Sequence, residues 1–75
     1  MSADYCNRYK EIGQAIKKKR IEIGITQEEL ALRAAISISY LTKIEAPNTN
    51  KTFSLEVLFA ISDALGIQIT ELFVQ

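Results

Sequence analysis

Apolar residues at Tyr5, Tyr9, Ile12, Ile16 and Ile23 recur at spacings of three, four or seven. That spacing stacks them on one face of an α-helix. Gly24 follows, where a terminal cap needs positive φ. A first helix is therefore expected from about Asn7 to Ile23. Thr26-Gln27-Glu28-Glu29 then carries a hydroxyl followed three residues on by Glu. This is a capping box, in which hydroxyl and carboxylate each satisfy an orphan backbone N–H. The short helix it opens turns Leu30, Ala31 and Ala34 inward, and the alanines let another helix come close. Ser37 caps a third helix with Leu41 and Ile44 inward, and Pro47 stops it. Asn48 to Thr52 is polar and turn-like. Ser54 caps a fourth helix with apolar positions at Leu55, Leu58, Phe59, Ile61 and Leu65, and Gly66 ends it. Thr70 is the expected cap of a last short helix holding Leu72 and Phe73. The alternation from Gly66 to Thr70 would suit a strand, but it is short and has no partner strand. The expected fold is all-α: a compact five-helix bundle forming a single domain over residues 1–75.

Composition narrows the ways such a chain stabilises itself. It has 75 residues, 48% of them apolar, enough for a core but a thin one. Cys6 is its one cysteine and it has no histidine, so an internal disulfide and a Cys/His zinc site are excluded. Helix packing or dimerisation must do the work instead. No metal, cofactor or small-molecule ligand is expected. The N-terminus lacks a basic and then apolar run, and no apolar stretch approaches bilayer-spanning length. A cytoplasmic, nucleoid-associated protein without membrane contact is expected.

Net charge is zero, which does not advertise a nucleic-acid partner. Its distribution says more. Arg8, Lys10, Lys17, Lys18, Lys19 and Arg20 face only Asp4, Glu11 and Glu22 in the first third, while residues 54–75 carry Glu56, Asp63 and Glu71 and no basic residue. One end of the chain suits an anion and the other suits water or a partner subunit. An enzyme is not expected: there is no Gly-rich phosphate loop and no paired nucleophile and base. Cys6 lies too near the terminus to be a tuned nucleophile.

Two capped short helices joined by a tight turn, from Thr26 to Glu45, make a helix-turn-helix. Thr-Gln-Glu-Glu-Leu-Ala followed by Ser-Ile-Ser-Tyr-Leu-Thr-Lys-Ile-Glu resembles the XRE, or Cro/cI-type, family of phage repressors and small bacterial regulators. Ser-Leu-Glu-Val-Leu and Ala-Leu-Gly-Ile-Gln-Ile-Thr-Glu-Leu-Phe match its later helices. The likeness spans roughly Ile12 to Phe73 and implies a lambda-repressor-like fold. Two departures stand out. The family often has Gly at the position of Ala35, where positive φ would cost alanine on the order of 1 kcal/mol. It also often has Glu-x-Gly after the third helix, where this chain has Glu45-Ala46-Pro47.

Arg20 lies on the apolar stripe of the first helix and Glu45 on that of the third. A charge on a buried stripe must be paired, and the family has an Arg–Glu pair at these positions. An Arg20–Glu45 salt bridge is expected, against two separate snorkelling charges.

The resemblance implies double-stranded DNA as partner, with the third helix in the major groove. Base contacts would then come from Ser37, Ile38, Ser39, Thr42 and Lys43. Capping alone would explain Ser37, and core burial is the alternative to a thymine-methyl contact for Ile38. Gln27 would touch the DNA backbone and brace the third helix. Tyr40 would either meet a phosphate or pack. Asn48, Asn50 and Lys51 suit backbone contact from the loop. Ile67, Ile69, Leu72, Phe73 and Val74 are more apolar surface than a thin core absorbs, so a homodimer interface is expected from Phe73 and Val74, with Phe59 and Ile69, while Leu72 belongs to the core. Two copies across a two-fold axis would read a palindrome. Without a sensor domain, regulation would follow concentration, as in restriction–modification controllers and short repressors. The rival expectation is a protein-binding module of the same fold, antitoxin- or antirepressor-like.

Overall fold

The computed structural model describes residues 3–73. Helix α1 spans Ala3–Ile23, α2 Gln27–Ala34, α3 Ile38–Glu45 and α4 Leu55–Leu65, and a 3-10 turn covers Ile69–Leu72. The described chain is all-helical, but it has four α-helices and a 3-10 turn where five helices were expected. The last element is four residues long and its cap is Gln68, not Thr70. Its fold-back bond runs from the Gln68 N–H to the Glu71 carboxylate at 3.0 Å. One turn held this way has no length over which to propagate as α-helix.

Local chemistry sets the other ends. Thr26, Ser37 and Ser54 each sit in extended conformation and accept from the N–H three residues on, at 3.0, 3.0 and 3.1 Å. The capping box at α2 is half used, since the Glu29 carboxylate pairs with Arg33 one turn later at 3.1 Å. Gly24 and Gly66 close α1 and α4 with φ of 90° and 70°. Helix α1 starts at Ala3, earlier than Asn7, because nothing between those positions breaks a helix.

The core gathers Ile16, Leu30, Leu41, Ile44, Ile61 and Leu72, all fully buried, with Ala31, Ala34, Phe53, Leu58 and Leu65 around them. Helix α2 packs on α4 and α3, and α3 packs on α1. Ala31 and Ala34 supply the small inner face that closeness requires. Ile23 leaves the apolar stripe expected of it and is exposed, because the helix ends there, beyond the reach of the partners that bury Ile16. Tyr9 packs edge-on to Phe53, ring centroids 4.9 Å apart, which pins the loop before α4 onto α1.

Candidate nucleic-acid interface

Helix α3 has two opposite faces. Leu41, Ile44 and Glu45 are buried, while Ser37, Ile38, Ser39, Thr42 and Lys43 are exposed. Ile38 is 45% exposed at the first helical position. It is not a core residue: the inner face of α3 is set by positions 41, 44 and 45, and position 38 falls at its open end.

The inner face is locked by Glu45, which is 2% exposed. Its carboxylate accepts from Arg20 twice, from Nε at 2.9 Å and from Nη2 at 3.0 Å. Gln27 Nε2 donates to the same carboxylate at 3.0 Å, and Gln14 Nε2 donates to the Glu45 carbonyl at 2.8 Å. Arg20 Nη1 donates to the Ile25 carbonyl at 2.9 Å. A buried carboxylate is tolerated only when its lone pairs are occupied, and here three donors occupy them. The end of α3 is thereby tied to α1, to the start of α2 and to the turn between them.

Gln27 is thus turned inward by its amide nitrogen. Its Oε1 lies 3.4 Å from the Thr42 hydroxyl, which also donates to the Ile38 carbonyl at 2.8 Å. One hydroxyl proton cannot serve both well, and the shorter bond takes it. Gln27, Thr42 and Ile38 are therefore brought together at one end of the exposed face. Tyr40 is half-buried and packs against the core. The Lys51 ammonium sits 4.7 Å above its ring, which draws the loop to α3 through a cation–π contact. Asn48 and Asn50 are exposed in that loop, and the Thr49 hydroxyl accepts from the Lys51 N–H at 3.0 Å.

Ala35, in the turn between α2 and α3, has φ 57°. It is the left-handed residue that the turn requires, and alanine fills it at a steric cost. Its position holds the geometry in which the Ile36 N–H reaches the Ala31 carbonyl at 3.0 Å.

Two residues of this arrangement were not singled out from sequence. Gln14 is one polar residue among many on α1. Gly13 is buried where α1 meets α3, and a Cβ added there would collide with the Ile44 carbonyl oxygen. A glycine inside a long helix is costly, and that cost was the available signal for a close backbone approach.

In the C-terminal elements, Phe59 and Phe73 are exposed, whereas Ile69 packs partly against the core and Leu72 is fully buried. Val74 lies outside the described residues. Phe73 borders a groove of about 360 Å3 between α1 and the start of α4, lined also by Tyr5, Tyr9, Phe53 and Leu55. No helix among the described residues is long and apolar enough to cross a membrane.

Two adjacent short helices with a braced second member and an open outer face define a helix-turn-helix protein. A family model described as Helix-turn-helix matches residues 16–72, and the chain belongs to the XRE-type helix-turn-helix family of DNA-binding transcription regulators, which is not an enzyme family. It is similar to the immunity repressor protein of Bacillus phage phi105, 46% identical over 59 residues, which are 79% of this chain and 40% of that protein. It is also similar to an uncharacterized HTH-type transcriptional regulator, y4dJ, of Sinorhizobium fredii, 35% identical over 63 residues, covering 84% of this chain and 79% of that one. With a propionyl-CoA carboxylase regulator of Cereibacter sphaeroides it shares 30% identity over 60 residues, but spans 13% of that protein's length. The chain thus spans less than half the length of the phage repressor and a small part of the carboxylase regulator. Among solved structures, the restriction-modification controller protein C.AhdI from Aeromonas hydrophila superposes with a TM-score of 0.80 at 29% identity, over 87% of this chain and 96% of that one.

Proposed function

We propose that this chain is a sequence-specific regulator that binds double-stranded DNA as a homodimer on a palindromic or near-palindromic operator. The observation that carries the reading is the Glu45 hub. It spends buried charge to fix α3 rigidly while leaving Ser37, Ile38, Ser39, Thr42 and Lys43 facing outward. Those five are the base-reading set, entering the major groove by the helix N-terminus. Asn48, Asn50 and Lys51 contact the sugar-phosphate backbone from the loop. Tyr40 acts chiefly by holding Lys51, and Gln27 acts chiefly by bracing, with its second amide hydrogen and the N-terminus of α2 offered to phosphate.

Phe59 and Phe73 form the heart of the dimer contact, with Ile69 and Val74 as further members. Two large aromatic residues left half exposed favour a self-complementary interface. Likeness to a phage immunity repressor and a restriction–modification controller supports repression or control of a neighbouring gene, including its own.

Selection of duplexes from a random pool, at low and then moderate salt, tests this. A two-fold symmetric motif with half-sites about one helical turn apart is expected. No enrichment at either salt overturns the reading. Zero net charge and the exposed apolar Ile38 favour one rival, a protein-docking module. Binding of that kind would persist as salt rises, whereas phosphate-driven binding falls steeply.

A further inference from the structure

We infer that this chain discriminates its operator through the C5-methyl group of a pyrimidine in the major groove, held against Ile38. The inference rests on the DNA-binding reading above and names the chemistry that reading leaves open. Bidentate readout of guanine uses Arg or Lys, and that of adenine uses Asn or Gln. From Ser37 to Lys43 the chain has no Arg, Asn or Gln. Lys43 is the one long polar side chain of this stretch, and it sits in the last turn of α3, away from the end that leads into the groove.

The groups at the leading end are short or apolar. Ser37 caps the helix and accepts from the Tyr40 N–H at 3.0 Å. Ile38 is 45% exposed despite its size. Thr42 stands one turn further on the same face, and its hydroxyl proton goes to the Ile38 carbonyl at 2.8 Å. Thr42 can therefore accept but not donate outward. A single exposed isoleucine, on a face otherwise lined with hydroxyls, matches a methyl group projecting from a base edge. Thymine presents that group, and 5-methylcytosine presents it at the same atom.

The test uses the full chain and a duplex recovered by the selection described above. Each thymine in turn is replaced by deoxyuracil, which removes the methyl and leaves every hydrogen-bonding group in place. One symmetric position per half-site is expected to weaken binding about fourfold, the effect of losing burial of one methyl group. Ile38→Ala alters both protomers, so it should weaken binding to the parent duplex by about the square of that factor, about sixteenfold, and abolish the response to deoxyuracil at that position. Ile38→Val, which keeps most of the apolar surface, should retain a reduced response. Unchanged circular dichroism and melting of both variants would show that the loss is not unfolding. Placing cytosine, then 5-methylcytosine, at the same position separates the sources: restoration by the methyl means either base is read, and no restoration confines the reading to thymine. A uracil scan that is flat for the parent protein, or one whose sensitive position stays sensitive in Ile38→Ala, overturns this inference while leaving operator binding intact. Failure to recover any duplex overturns the DNA reading and this inference together.

Discussion

The Arg20 guanidinium meets the Glu45 carboxylate through two parallel hydrogen bonds, at 2.9 and 3.0 Å, between helices 25 residues apart in sequence. The side chains are 12% and 2% exposed. Removing either partner leaves a buried charge uncompensated. Arg20→Ala and Glu45→Ala should each lower stability by about 3–5 kcal/mol in urea unfolding. Replacing both by apolar residues, Arg20→Met with Glu45→Leu, should recover more than half of that loss while DNA affinity stays low, because Gln27 and α3 lose their brace. Losses in Arg20→Ala and Glu45→Ala that simply add in the double variant carrying both alanines would mean the pair is not coupled.

Gly13 and Ile44 touch backbone to backbone where α1 crosses α3. Helix propensity alone predicts that Gly13→Ala stabilises the chain by about 1 kcal/mol. The contact predicts the opposite sign, a loss of about 1–3 kcal/mol from overpacking. Thermal unfolding of the variant decides between them by the direction of the shift.

Ala35 occupies the left-handed region at φ 57°. Glycine relieves the clash of the alanine Cβ with the following carbonyl, worth about 1–2 kcal/mol, and gives back part of it as greater freedom when unfolded. Ala35→Gly should raise the melting temperature by about 4 °C. Operator affinity should be unchanged.

Lys43 and Lys51 are the cations offered on and beside α3. Their charge in DNA binding is read from the dependence of affinity on salt. The phosphate contact removed by Lys51→Gln should reduce the slope of log K against log salt by about 1 per protomer, whereas Lys43→Gln, at a base-reading position, should relax sequence preference. Lys51→Gln should also loosen the loop, through its lost contact with the Tyr40 ring.

Phe73 is 50% exposed and Phe59 48%. Phe73→Glu should shift sedimentation toward the monomer and leave helical content unaltered. Operator affinity should fall steeply, because one protomer reads a half-site alone.

The start of α2 and the end of α4 were legible because their causes lie within four residues. A hydroxyl at Thr26, Ser37 or Ser54 reaches an N–H three positions on, and Gly24 and Gly66 adopt a conformation closed to most other residues. The Arg20–Glu45 arrangement was inferable from two charges on apolar stripes, since burial forbids leaving either alone. Gln14 and Gly13 were not, because their partners, the Glu45 and Ile44 backbones, are 31 residues away and carry no sequence signature.

By itself, then, the sequence determined the number and capping of the long helices and the glycines that end α1 and α4. These follow from hydrophobic period and short-range hydrogen bonding, which act along the chain. Tertiary structure alone decided the rest. It turned Gln27 inward, because the Glu45 carboxylate had lone pairs to fill. It drew Lys51 over Tyr40, because the loop folds back across α3. It left Ile38 in solvent, because exposure depends on which helix end runs past its partners.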